Sequence, residues 1–101
     1  MKYKQLKVGE RSYEKEKEIH RILEKNDLHW VLDAEFENAD LEIQNNTLIW
    51  NSGNWLHGSW KYGIWMTGIF HGIWENGIFE GGTMKGNWKS GIDFTGKITQ
   101  K

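Results

Sequence analysis

One pattern dominates the second half of the chain. Glycine recurs at 53, 58, 63, 68, 72, 77, 82, 86, 91 and 96. Two residues after each of the first eight stands a large apolar side chain: Trp55, Trp60, Trp65, Phe70, Trp74, Phe79, Met84 and Trp88. Asp93 breaks the series and Ile98 resumes it. The step is five residues, shortened to four at Gly68–Gly72 and Gly82–Gly86. A period of five suits neither an α-helix nor one continuous strand. It suits a short strand followed by a corner, repeated, with glycine supplying the positive φ that a corner requires.

Two architectures satisfy this spacing. The first is a β-solenoid with four sides to a coil, glycine and aromatic both pointing inward and residues about twenty apart stacked, giving about two and a half coils. The second is an antiparallel meander with Asn76-Gly77 and Gly81-Gly82 as type I′ hairpin turns. The expected fold is mainly β, an N-terminal helix capping a five-residue-repeat solenoid, with the meander as the alternative.

The first half is patterned differently. Ile19, Ile22 and Leu23 fall on one stripe, so residues 12–26 read as a helix, with Ser12 as its N-cap and Asn26 ending it in the left-handed region. From 30 to 43 the chain alternates, Trp30, Leu32, Ala34 and Phe36 on one face and then Ala39, Leu41 and Ile43 inward, which reads as half-buried strands. Asn45-Asn46 reads as a turn. The division expected is an N-terminal segment 1–29 and a β-repeat body 30–101, with the glycine-aromatic repeats over 50–98.

Ala39-Asp40-Leu41-Glu42-Ile43 resembles the unit of pentapeptide-repeat proteins. The later units put Gly for Ala and Trp for Leu. The segment from Gly63 to Gly72 is similar to a MORN repeat, Gly-x-Trp-x-x-Gly-x-x-x-Gly, which implies the meander instead. Tracts of this kind also look like bacteriophage repeat proteins. That resemblance implies a viral protein acting in the cytoplasm of a host cell, where it sequesters or blocks a partner.

Composition narrows the chemistry. The 101 residues carry 13 basic and 14 acidic side chains, net −1, with 7 Trp, 12 Gly and no Cys. Residues 1–49 are net −3 and residues 50–101 net +2. This balance lacks the basic footprint of a nucleic-acid binder and also the strong acidity that DNA mimicry needs. Without cysteine there is no disulfide or thiolate chemistry. No apolar run approaches the ~20 residues of a membrane span. His20, His29, His57 and His71 lack metal-ligand spacing, and the acidic row Asp33, Glu35, Glu37, Asp40 and Glu42 alternates with apolar residues as a solvated strand face does. No phosphate loop or nucleophile motif occurs. A non-catalytic protein with no metal and no cofactor is therefore expected.

Two candidate sites remain. Aromatic faces bind rings, and the pattern is interrupted near Gly72, Gly86 and Asp93. Trp74, Trp88, Lys85, Lys89, Lys61 and Tyr62 are thus candidates for holding a small anionic ligand such as a nucleotide. Because neighbours on a strand point to opposite faces, a second apolar row, Ile64, Ile69, Ile73 and Ile78, cannot share the interior with the aromatics. It is the candidate surface for homo-oligomerisation or for a host protein. The competing readings are a scaffold that only assembles, and a carbohydrate-binding module.

Overall fold

The computed structural model describes residues 2–98; the last three residues of the expected repeat body lie outside that range. Tyr3–Val8 (β1) and Arg11–Tyr13 (β2) form an antiparallel hairpin through Gly9 at φ 63°. Helices Glu16–Lys25 (α1) and His29–Leu32 (α2) follow. Glu35–Gln44 (β3) and Thr47–His57 (β4) then pair antiparallel across Asn45-Asn46, at φ 51° and 63°, the turn that the sequence predicts. β3 also pairs parallel with β1.

From β4 onward every strand is two residues long: Ser59–Trp60 (β5), Ile64–Trp65 (β6), Ile69–Phe70 (β7), Ile73–Trp74 (β8), Ile78–Phe79 (β9), Thr83–Met84 (β10), Asn87–Trp88 (β11) and Ile92–Asp93 (β12). They pair in parallel with strands one coil earlier: Trp50 with Trp65, Trp55 with Phe70, Trp60 with Trp74, Trp65 with Phe79. Parallel pairing excludes the meander, and the body is a solenoid of about three turns.

A coil has three sides, not four. Trp50 stacks on Trp65, fifteen positions on, and Trp74 on Trp88, fourteen on. The reason is the size of indole. Trp50, Trp55 and Trp60, one from each side, meet edge to face with centroids 5.6 to 6.2 Å apart and fill the cross-section. A fourth side has nothing left to enclose. Three columns result: Leu41, Trp50, Trp65, Phe79 and Asp93; Phe36, Trp55, Phe70, Met84 and Ile98; and Trp60, Trp74 and Trp88. Within each column the rings lie nearly parallel, at 7° between Trp50 and Trp65 and 19° between Trp55 and Phe70.

The four-residue steps both fall at the corner between the second and third sides, in the second and third coils, while the first coil has five residues there, from Gly53 to Gly58. Gly72 and Gly86 at these corners lack positive φ. They are glycines because a Cβ would overlap the carbonyl oxygens of Gly58 and Gly72 one coil below. Glycine here permits backbone to lie on backbone. Trp55 donates its indole N–H to the Gly58 carbonyl at 3.1 Å. Among the described residues the indole nitrogens of Trp30, Trp50, Trp60, Trp65 and Trp74 are buried without an acceptor in range. Those of Trp60 and Trp74 sit against the corner glycines 77 and 91.

The first half departs from expectation in three places. α1 begins at Glu16, not at 12, because Ser12 is paired with Lys7 in the hairpin and the helix has no side-chain N-cap. Asn26 keeps φ −101° and donates its side chain to the Ile22 carbonyl; the left-handed residue is Asp27 at φ 60°. Residues 30–32 are helical rather than extended. Val31 and Ala34, three apart, are both buried, and the turn lays Trp30 across Trp60 and Trp55, with centroids 5.1 and 6.1 Å away. α2 thereby covers the first coil.

Candidate ligand-binding site

Each column has a first member supplied by the N-terminal elements and a last member in the final coil. At the N-terminal end all three are covered: Leu41 beside Trp50, Phe36 stacked on Trp55 at 24°, and Trp30 on Trp60. Tyr62 stands on the rim there, its ring 5.4 Å from Trp30 and its hydroxyl donating to the Asp27 carbonyl at 3.4 Å.

At the C-terminal end the columns finish differently. The first is closed by Asp93 in place of an aromatic. Its carboxylate accepts the Thr95 N–H at 2.8 Å and the Thr95 hydroxyl on one oxygen, and the Ile98 N–H at 2.9 Å on the other. Desolvation pushes the Asp93 pKa up, but bonds from the Thr95 side chain and from the N–H groups of Ile98, Thr95 and Gly96 outweigh it and hold the group below its ordinary value. The second column is closed by Ile98, which the Asp93 bond fixes in place.

The third column ends on Trp88. One face of its indole lies on Trp74, 5.2 Å away and within 6° of parallel, and Phe79 meets its edge at 6.2 Å. Among the described residues no ring covers the other face. Beside it opens a cavity of about 470 Å³ walled by Phe79, Met84 and Trp88 on the apolar side and by Thr83, Thr95 and Lys97 on the polar side. β11 is the edge strand of its three-stranded sheet, so its outer backbone groups line the same opening.

The six sequence-predicted ligand residues are therefore not one site. Trp88 is in the cavity wall, and Lys85 and Lys89 are exposed on the same coil. Trp74 is fully buried between Trp60 and Trp88 and belongs to the core. Lys61 lies two coils away and pairs with Glu75 at 3.3 Å, and Tyr62 is at the opposite end. Sequence reading missed Phe79, Met84, Thr95 and Lys97. The available signal was Asp93, a polar residue in an aromatic position, which marks the last coil.

The isoleucine row is also divided. Ile64 and Ile78 share one outer face with Ile49 and Ile92, while Ile69 and Ile73 belong to the other two faces. His57 and His71 flank Leu56 at a shallow corner cavity. Among the described residues no group of three or more His, Asp or Glu side chains is placed to hold a metal, and no helix is long and apolar enough to cross a membrane. No family model matches this chain, and neither a curated protein nor a solved structure is significantly similar to it.

Proposed function

We propose that the chain is a non-catalytic binding protein: a rigid aromatic rod, sealed at one end, that captures a partner at the other. The observation that carries this reading is the difference between the ends. The rod is close-packed along its length, and among the described residues only the third column stops on an uncovered aromatic face beside a cavity. Cavities of 300–1,000 Å³ lined by apolar groups with a few polar ones are typical of small-ligand sites. Rigidity suits capture, since a preformed wall loses little entropy on binding. A phage-type role, sequestering a small molecule in the host cytoplasm, is consistent with this design.

The test is to add the small-molecule fraction of a cell extract to the ¹⁵N-tryptophan-labelled protein. A shift confined to the Trp88 indole resonance is expected. An unmoved Trp88 signal contradicts the proposal.

A second reading concerns self-assembly. Trp50, Trp55, Trp60, Trp65 and Trp74 are fully buried in the chain's own core, so assembly through the repeat body falls to its outer side chains. Ile49, Ile64, Ile78 and Ile92 form a ladder on one outer face, flanked by exposed Met66 and Phe94. Four rungs about 4.8 Å apart make a strip far smaller than the ~800 Å² per partner of a stable interface. Weak, concentration-dependent association is expected, abolished by Ile78→Lys and measured by native mass spectrometry across a dilution series. An unchanged multimer in the folded variant would exclude this face.

A further inference from the structure

We infer that the open end takes a planar aromatic ring bearing an anionic group, the chemistry of a nucleoside monophosphate, with the ring extending the tryptophan column beyond Trp88. The inference rests on the binding role proposed above and adds the chemistry of the ligand.

The ring follows from the column. Trp60, Trp74 and Trp88 lie at one spacing, 5.2 Å, and within 7° of parallel. Trp74 is held between two flat faces while Phe70 and Phe79 meet its edges at 83° and 88°. Beyond Trp88 the cavity offers a flat face below and the Ile98 side chain at its margin, with no flanking ring among the described residues. A flat ring continues the parallel stack.

The hydrogen-bonding character of the rim suits a heteroaromatic ring. The outer edge of β11 offers backbone groups in the plane of the next coil, and Thr83 adds a hydroxyl, that of Thr95 being given to Asp93. Such a rim can receive the ring nitrogens and exocyclic amine of a base.

The anion follows from charge. From β9 to residue 98 the chain carries Lys85, Lys89 and Lys97 against two carboxylates, Glu80 and Asp93. Asp93 is committed to Thr95 and Ile98, as its bonds show. Lys97 stands in the cavity wall itself. Residues 1–49, which supply the covered end, are net −3.

The experiment compares adenosine monophosphate, adenosine and ribose 5-phosphate against the full-length labelled protein at low ionic strength, following the Trp88 indole signal. Adenosine monophosphate is expected to shift Trp88 saturably, adenosine to bind several-fold more weakly, and ribose 5-phosphate to leave Trp88 unmoved. Read by isothermal titration calorimetry, which needs no Trp88 resonance, Trp88→Ala is expected to weaken adenosine monophosphate about tenfold or more, and Trp88→Phe, which keeps a flat ring, to restore most of the affinity. Lys97→Gln is expected to weaken it several-fold and to reduce its salt dependence. Near-ultraviolet circular dichroism of the aromatic stack checks that each variant is folded. The inference is overturned if adenosine monophosphate leaves Trp88 unmoved, if ribose 5-phosphate binds equally well, or if folded Trp88→Ala binds like the parent. If the extract moves Trp88 and adenosine monophosphate does not, the ligand class is wrong while the binding role stands. If Trp88 shifts with protein concentration alone, a second copy occupies the end and the inference falls.

Discussion

The two ends of the solenoid solve the same problem by opposite means. A stack of similar coils has no intrinsic terminus, because each coil offers the next an apolar ring and an unpaired strand edge. At the N-terminal end the covering groups come from outside the repeat: Trp30 from α2 and Phe36 and Leu41 from β3, which also pairs with the edge of β4. At the C-terminal end they come from within it. Asp93 replaces a ring and ties down Thr95 and Ile98, closing two columns and leaving the third on Trp88. Imported caps close every column together, whereas a cap made by altering the repeat closes columns singly and can leave one available.

The sharpest way to break this contrast is to remove what the ends have in common. Trp60→Ala deletes a fully buried ring touched by every neighbouring column and is expected to cost about 3–5 kcal/mol in urea unfolding, a large part of the ~5–15 kcal/mol typical of a domain. Gly72→Ala, which forces a Cβ into the Gly58 carbonyl, is expected to cost about 1–3 kcal/mol although its φ is unstrained. A neutral outcome would mean that coils do not rest backbone on backbone.

Comparing the ends directly sharpens the contrast. Trp30 contacts the rings of Trp55, Trp60 and Tyr62, whereas among the described residues Trp88 contacts those of Trp74 and Phe79. Trp30→Ala is expected to cost roughly twice as much as Trp88→Ala, within a range of about 1–3 kcal/mol for these partly exposed rings. Equal costs would indicate that the C-terminal end is covered too.

Asp93 gives the contrast a pH dependence. Its folded-state pKa lies below the ordinary 3.8, so its contribution is complete above that value and is lost as pH falls through the folded pKa. Acid is therefore expected to loosen the last coil, read as faster amide exchange at Thr95 and Ile98 as pH falls below 3.8, with the α1 amides unchanged. In Asp93→Asn this acid response should disappear. The smallest effect is expected from Lys61→Gln, whose exposed pair with Glu75 is worth at most about 0.5 kcal/mol.

Much of this architecture is written in the spacing of glycine and aromatic residues. The inward rings, the corners and the solenoid follow from it. The number of sides was legible as well, since the four-residue steps at 68–72 and 82–86 stand fourteen apart, but a shortened step reads as a fault until the coil is known. What spacing hides is the first half. β1 buries Tyr3 and Leu6 across an irregular register with β3, so its period-two signal is lost. Trp30 to Leu32 alternates like a strand by coincidence, and only packing on the first coil makes it a helical turn. Of the candidate site, Trp88 was legible as one of a series. That no ring among the described residues covers its outer face is a matter of packing in the last coil, which spacing alone does not show.

Indole hydrogen exchange, resolved for each of the seven tryptophans by ¹⁵N spectroscopy, tests most directly whether the rod is sealed at one end and open at the other. The N–H groups of Trp50, Trp60, Trp65 and Trp74 are buried and should exchange only with global unfolding. Trp30, as part of the sealed end, should approach that rate, while Trp88 should exchange faster by orders of magnitude. Trp88 protected as strongly as Trp60 would mean a closed end and no site.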